Sequence, residues 1–136
     1  MTVLIVDDSS VMRKVVERTL RQAGLDLSEV LVASNGLEAL NLLRSRSSDS
    51  ARVRLILSDI NMPTMDGFQF VEQMRSERLM ENVPVVMITT EGTEPHVRRA
   101  LIAGAAGYIR KPFTGEQVKA CLLPLIAAVS LQTANA

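Results

Sequence analysis

Polar residues stand where the apolar runs of this chain end, and their side chains are those of a metal or phosphoryl-transfer site. Asp7 and Asp8 follow the first apolar run, and Asp59 follows the third. Thr89 ends the fourth run and Lys111 comes after the fifth. Carboxylates held close together repel one another, and a divalent cation such as Mg²⁺ relieves that repulsion. A carboxylate beside such a cation can accept a phosphoryl group, whose oxygens an ammonium and a hydroxyl can bind.

The strands that must position these residues are short and continuously apolar rather than alternating. Continuous runs are typical of parallel strands that are covered on both faces. The predicted strands are Val3–Val6, Val30–Ala33, Leu55–Leu57, Val85–Ile88 and Gly107–Arg110, of which the second is weak and the fifth short.

Segments of helical period separate these strands. Apolar stripes mark them at positions 11, 12, 15, 16, 19 and 20, at 37, 40 and 43, at 68, 71 and 74, at 97, 100, 101 and 104, and at 118, 122, 125 and 129. We expect Ser9 or Ser10 to cap the first helix and Pro95 to lie in the first turn of the fourth. The alternation predicts a single doubly wound α/β domain, a five-stranded parallel sheet with helices on both faces. The carboxyl ends of its strands share one edge, so the polar residues should converge there.

Composition narrows the class of protein. With 136 residues the chain suits one domain, and 15 basic residues balance 15 acidic ones. A net charge of zero argues against binding to nucleic acid or to an anionic membrane. Cys121 is the single cysteine, so no internal disulfide can form. The first residues lack the basic start and long apolar core of a signal peptide, and no apolar run reaches the ~18 residues that span a bilayer. These features predict a soluble, cytoplasmic protein.

Four motifs together resemble the response-regulator receiver family of two-component signalling, and within it the CheY-like, chemotaxis-type domains. They are Val6-Asp7-Asp8-Ser9, Ser58-Asp59-Ile60-Asn61-Met62-Pro63-Thr64-Met65-Asp66-Gly67, Ile88-Thr89-Thr90 and Gly107-Tyr108-Ile109-Arg110-Lys111-Pro112-Phe113. The likeness runs from about Thr2 into the last helix. It implies a (βα)5 flavodoxin-like domain over residues 1–131 with strand order 2-1-3-4-5. Residues 132–136 are expected to form a flexible tail.

The resemblance also implies roles for the acidic residues. Asp59 matches the phosphorylated aspartate, and Asp8 matches a carboxylate that binds Mg²⁺. Asp7 matches the neighbour that holds metal-bound water, and Asn61 matches the position whose backbone carbonyl completes the metal shell. The implied cofactor is Mg²⁺, for which Mn²⁺ is expected to substitute.

The remaining implied roles belong to the switch. Thr89 and Lys111 match the pair that senses the phosphoryl group, and Tyr108 matches the aromatic residue that turns inward as the threonine moves. A cis peptide bond is expected before Pro112, where the preference for trans is small.

The implied function is that of a stand-alone receiver, which catalyses only its own phosphorylation and dephosphorylation. A sensor histidine kinase is the expected phosphodonor. The expected output surface is formed by the fourth helix, the fifth strand and the fifth helix, which would contact a chemotaxis-type protein target or a second copy of this chain. The alternatives are a phosphorelay intermediate, a phosphate sink, or a receiver cut from a longer regulator.

Two other classes of protein share parts of this pattern. Phosphatases of the haloacid-dehalogenase type need a second aspartate two residues after the nucleophile as general acid, where this chain has Asn61. A flavodoxin-like cofactor carrier needs a phosphate-binding loop after the first strand, where Asp7 and Asp8 would repel phosphate. Both classes are disfavoured.

Several features depart from the family pattern. Thr90 is larger than the Ala or Gly of many relatives, and we expect it to hinder attacking water and prolong the phosphorylated state. The last helix lacks charge from 121 to 131 and contains Pro124, so either its extra apolar surface is tucked onto the fold or it meets another protein. The connector from Ser45 to Arg54 looks long and exposed. His96 is expected to be a surface helix residue, and Cys121 a small core residue.

Overall fold

All five predicted strands are present in the computed structural model, which describes residues 1–46, 53–90 and 93–134. The strands are β1 (Thr2–Val6), β2 (Glu29–Ala33), β3 (Val53–Ser58), β4 (Val85–Thr89) and β5 (Gly107–Arg110). They pair in parallel in the order β2-β1-β3-β4-β5. The predicted fold class and strand order are therefore confirmed.

A helix follows each strand. The helices are α1 (Ser10–Gln22), α2 (Gly36–Ser45), α3 (Gly67–Ser76), α4 (Glu94–Ala103) and α5 (Gly115–Ala134). Ser9 caps α1, because its hydroxyl accepts from the Met12 amide at 3.2 Å. Pro95 lies in the first turn of α4, as predicted, and Pro124 lies inside α5 without ending it.

The sheet separates two apolar cores. Helices α2, α3 and α4 cover one face, and α1 and α5 cover the other. Successive residues of β1 alternate between the cores: Leu4 and Val6 lie in the first, Val3 and Ile5 in the second. Because both faces are covered, the whole strand is buried, which explains the continuous apolar runs in the sequence.

Several apolar residues of the stripes that mark the predicted helices are exposed. Val11 is 70% exposed, Val15 38%, Leu37 40% and Leu101 52%. The physical reason is geometric: neighbouring stripes on a helix are about 100° apart, and the sheet covers only one of them. In α1 the covered stripe is the one that contains Val16.

Two predicted segment boundaries differ from those of the structure. The expected connector ended at Arg54, whereas β3 already begins at Val53, and residues 47–52 of that connector lie outside the described residues. The expected tail began at residue 132, whereas α5 continues to Ala134, and residues 135–136 lie outside the described residues. The division into a domain over 1–131 and a tail over 132–136 stays a prediction. Among the residues that the structure describes, no helix has the length and apolarity needed to cross a membrane.

Candidate functional site at the carboxyl edge of the sheet

Main-chain hydrogen bonds beyond the strand ends bring the predicted site residues to one edge. The Asp7 amide donates to the Ala33 carbonyl at 3.0 Å, and the Asp59 amide donates to the Val6 carbonyl at 2.8 Å. The Lys111 amide donates to the Thr89 carbonyl at 2.7 Å. Each of these bonds extends a strand pairing by one residue. The positions of Asp7, Asp59 and Lys111 are therefore set by the backbone of the sheet.

The three acidic residues form one cluster. Asp7, Asp8 and Asp59 each offer a carboxylate oxygen, and these oxygens all lie within 4.8 Å of one another. Asp7 is buried, Asp59 is half-buried and Asp8 is exposed. A divalent cation with oxygen ligands fits this set of donors, and one side of the cluster is open to solvent for the waters that Mg²⁺ retains.

Lys111 supplies a positive charge to the same cluster. Its Nζ donates to Asp7 Oδ2 at 3.2 Å and lies 3.6 Å from Asp59 Oδ2. The other oxygen of Asp59, Oδ1, accepts from the Ile60 amide at 2.7 Å. Lys111 is 104 residues from Asp7 in the chain, so the contact depends on the pairing of β5 with the rest of the sheet.

The electrostatics of Asp59 favour an added cation. Burial raises the pKa of Asp59 above its ordinary value, the Lys111 ammonium opposes that rise, and Asp7 adds to it. The Ile60 amide lowers the pKa again, and Asp8 raises it. The net direction is upward, so the ionised carboxylate is disfavoured. A cation bound between the three carboxylates would reverse this imbalance.

The loop after Asp59 is held in a tight turn that requires glycine. The Gly67 amide donates to the Ile60 carbonyl at 2.8 Å, and a Cβ on Gly67 would lie 2.3 Å from the Asp59 carbonyl oxygen. No side chain fits at that distance. Asp66 caps α3 and forms a reciprocal capping box with Gln69, so the helix start that follows the acceptor loop is also fixed.

The other predicted site residues lie on β4 and β5 and in the segments that follow β3, β4 and β5. Thr89 is fully buried at the end of β4, and Thr90, the next residue, is exposed. Asn61 lies on the exposed loop two residues after Asp59. Tyr108 lies on β5 opposite Met87, packs against the α2–α3–α4 core and has a buried hydroxyl oxygen. The peptide bond between Lys111 and Pro112 is cis.

Within the described part of the chain, sequence reasoning missed a side chain that contacts the cluster. Arg13 of α1 donates from Nη1 to the Asp7 carbonyl at 2.6 Å. The sequence feature that could have revealed Arg13 is a basic residue in the first turn of a helix, where the helix dipole disfavours positive charge. The Ser9 amide also donates to Asp7 Oδ1, at 2.9 Å, so both Asp7 and its peptide group are held in place.

His96 and Cys121 are two isolated residues whose places were predicted from the sequence. His96 lies on α4, as expected, and is half-buried: its ring stacks on Phe68 at 6.4 Å between centroids, and the Arg99 guanidinium lies 4.2 Å from the centroid of the Phe68 ring. The reason is that α4 packs its first turns against α3. Cys121 is half-buried against the α1–α5 core, close to the expectation, and burial raises the pKa of its thiol.

Comparison with known proteins gives the class to which this α/β domain belongs. The sequence profile of the response regulator receiver domain matches residues 3–123. A chemotaxis protein CheY homolog of Campylobacter jejuni is 43% identical over 119 residues, which cover 88% of this chain and 87% of that protein.

Solved structures agree with this class. CheY4 of Vibrio cholerae is 37% identical, has a TM-score of 0.76, and the match covers 91% of this chain and 97% of that one. The CheY of a CheX–CheY–BeF3–Mg²⁺ complex from Borrelia burgdorferi is 28% identical, with a TM-score of 0.79 and coverage of 92% and 88%. The chain belongs to the response regulator receiver family and is a CheY-type receiver domain, a signalling domain rather than an enzyme that turns over an external substrate.

Proposed function

We propose that this chain is a phosphorylation-controlled switch in chemotaxis-type signalling, with Asp59 as its phosphoryl acceptor. The observation that carries the proposal is the cluster itself: three carboxylates within 4.8 Å, with Lys111 Nζ 3.6 Å from Asp59 Oδ2. An acceptor oxygen, a metal-binding set and a cation for the incoming oxygens therefore share one site.

In the proposed reaction an Asp59 carboxylate oxygen attacks the phosphorus of a phosphohistidine on a sensor kinase. The O–P bond forms as the N–P bond breaks, and the histidine ring nitrogen keeps the bonding electrons and takes up a proton. The switch is turned off by hydrolysis: water attacks the phosphorus, the Asp59 O–P bond breaks, and inorganic phosphate leaves.

The residues around Asp59 divide the remaining work. Asp8, Asp59 and the Asn61 carbonyl would hold Mg²⁺, and Asp7 would hold a water of its shell. The bound metal supplies positive charge that offsets the charge on the phosphoryl oxygens. Lys111, already hydrogen-bonded to Asp7, is within reach of an oxygen on Asp59. Thr89 ends the neighbouring strand, and its hydroxyl is the proposed second donor.

The proposed output is a change in the surface formed by α4, β5 and α5. Tyr108 lies on β5, within this surface, and packs against the core beneath α2, α3 and α4. The surface exposes large apolar side chains: Leu101 at 52%, Ile102 at 80% and Leu123 at 44%. A groove of about 420 Å³ is lined by residues of β5, the segment after it and α5, among them Tyr108 and Cys121. Apolar exposure of this kind suits a protein partner.

The Borrelia burgdorferi relative was solved with CheX, BeF3 and Mg²⁺. By analogy we propose that this chain binds a protein target in its phosphorylated form. Light scattering with Mg²⁺ alone, and then with Mg²⁺ and beryllofluoride, distinguishes the outputs. A shift from monomer to dimer would favour self-association, whereas a monomer in both conditions would favour a different protein target or a phosphorelay role.

The test of phosphorylation uses intact-mass spectrometry after incubation with acetyl phosphate and Mg²⁺. We expect the mass of one added phosphoryl group in the wild type and in Asp26→Asn, an exposed carboxylate far from the cluster in the chain. We expect none in Asp59→Asn or when a chelator removes the metal. Equal labelling of Asp59→Asn and Asp26→Asn would contradict the assignment of the acceptor.

A further inference from the structure

Arg13 reaches from the first turn of α1 to the backbone of the acidic cluster. Its Nη1 donates to the carbonyl oxygen of Asp7 at 2.6 Å, and its side chain is half-buried. That carbonyl belongs to the peptide group joining Asp7 to Asp8, the two adjacent residues of the cluster. The guanidinium therefore contacts the link between two proposed metal-binding residues.

The stability of the helix does not account for an arginine at this position. The N-terminal end of a helix carries partial positive charge, so a cation in the first turn is mildly unfavourable. Ser9 already satisfies the Met12 amide as the cap of α1. The contact with Asp7 explains the arginine better than any role within α1.

Asp7 is held from three directions. Its Oδ1 accepts from the Ser9 amide at 2.9 Å, its Oδ2 accepts from Lys111 at 3.2 Å, and its carbonyl oxygen accepts from Arg13. The carboxylates of the cluster repel one another, and that repulsion favours any backbone rotation that separates them. A charged hydrogen bond to the connecting peptide group opposes this rotation.

We infer that Arg13 is a positioning residue that orients the Asp7–Asp8 peptide, so that the carboxylates are arranged for a divalent cation before it binds. The inference rests on the proposed function, since it assigns a role to Arg13 in metal binding at that site. Groups that orient metal ligands commonly change metal affinity by about 10–100-fold when removed.

A positioning role of Arg13 and a purely electrostatic role predict opposite changes in Mg²⁺ affinity. A nearby positive charge repels Mg²⁺, so if Arg13 acted by charge alone, Arg13→Met would bind Mg²⁺ more tightly. If Arg13 positions the peptide, Arg13→Met binds Mg²⁺ about tenfold more weakly, at the low end of that range. Arg13→Lys keeps the charge but has a different reach and donor geometry. It is expected to fall between the wild type and Arg13→Met.

The experiment is a Mg²⁺ titration of the ¹⁵N-labelled full chain, read at the amides of Asp8 and Ile60. The control is Arg18→Met, which removes the same charge from an exposed position of the same helix and should leave the affinity unchanged. Rates of labelling by acetyl phosphate give a second readout: the rate for Arg13→Met should approach that of the wild type when Mg²⁺ is saturating. Melting temperatures measured without metal show whether each variant is folded. If Arg13→Met is not folded, the comparison of Arg13→Lys with the wild type provides the test.

Wild-type affinity, or tighter binding, in a folded Arg13→Met protein would overturn the inference while leaving the proposed function intact. Absence of Mg²⁺ binding in the wild type would overturn both.

Discussion

The close approach of Gly67 to the acceptor loop makes a sharp prediction about folding and phosphorylation. A Cβ at this position would lie 2.3 Å from the Asp59 carbonyl oxygen and 2.9 Å from the Ile60 Cα. Both atoms belong to the backbone, so no side-chain rotation can relieve the clash. Gly67→Ala must displace the segment that carries the phosphoryl acceptor.

The expected cost follows from the site of the clash. Overpacking a close-packed region typically costs about 1–3 kcal/mol, and a contact with backbone belongs toward the upper end of that range. Gly115 is the matched control, because it also lies in the first turn of a helix and a Cβ there would meet nothing within 4 Å. Gly115→Ala should stabilise the protein by about 0.5–1 kcal/mol, since alanine loses less backbone entropy in a helix.

Urea unfolding measures both variants. Small proteins lose about 1–3 kcal/mol per molar urea, so the two midpoints should differ by about 1 M or more, with Gly67→Ala the lower. Gly67→Ala should also be labelled more slowly by acetyl phosphate, because the Ile60 amide that donates to Asp59 Oδ1 moves with the displaced backbone. A Gly67→Ala protein with the stability and labelling rate of Gly115→Ala would refute this reasoning.

Three further predictions concern the charge, the lifetime and the output of the switch. Because the folded pKa of Asp59 is raised, its ionised form destabilises the native state as pH rises through the window from its ordinary value near 4 to the folded value. Asp59→Asn should therefore unfold at higher urea than the wild type at pH 7 in the absence of metal, with the difference vanishing near pH 3, and an unchanged midpoint at pH 7 would contradict the pKa direction. Thr90→Ala should speed the loss of the phosphoryl group followed by intact mass, and an equal or slower decay would show that Thr90 does not hinder water. Leu123→Glu, but not Lys14→Glu at an exposed position of α1 outside that surface, should weaken beryllofluoride-dependent self-association or partner binding, and equal effects of the two would point to charge rather than to the apolar surface.

The sequence by itself was sufficient to predict the strands and the edge they share. Continuous apolar runs such as Val85–Ile88 are local signals of buried parallel strands, and polar residues at their ends must lie where the strands end. Asp59 at the end of its strand was therefore identifiable without coordinates. The strand order came from the family resemblance, because periodicity carries no information on which strands are neighbours.

Only the tertiary structure decided which side chains touch. The apolar stripe of α1 that contains Val11 is as periodic as the one that contains Val16, and the sheet covers only the second. The half-buried position of His96 depends on where α3 places Phe68, and the contact of Lys111 with Asp7 joins residues 104 positions apart. The physical reason is the same in each case. Helix and strand periods depend on neighbours within a few residues, whereas burial and ion pairing depend on the elements that the fold brings alongside.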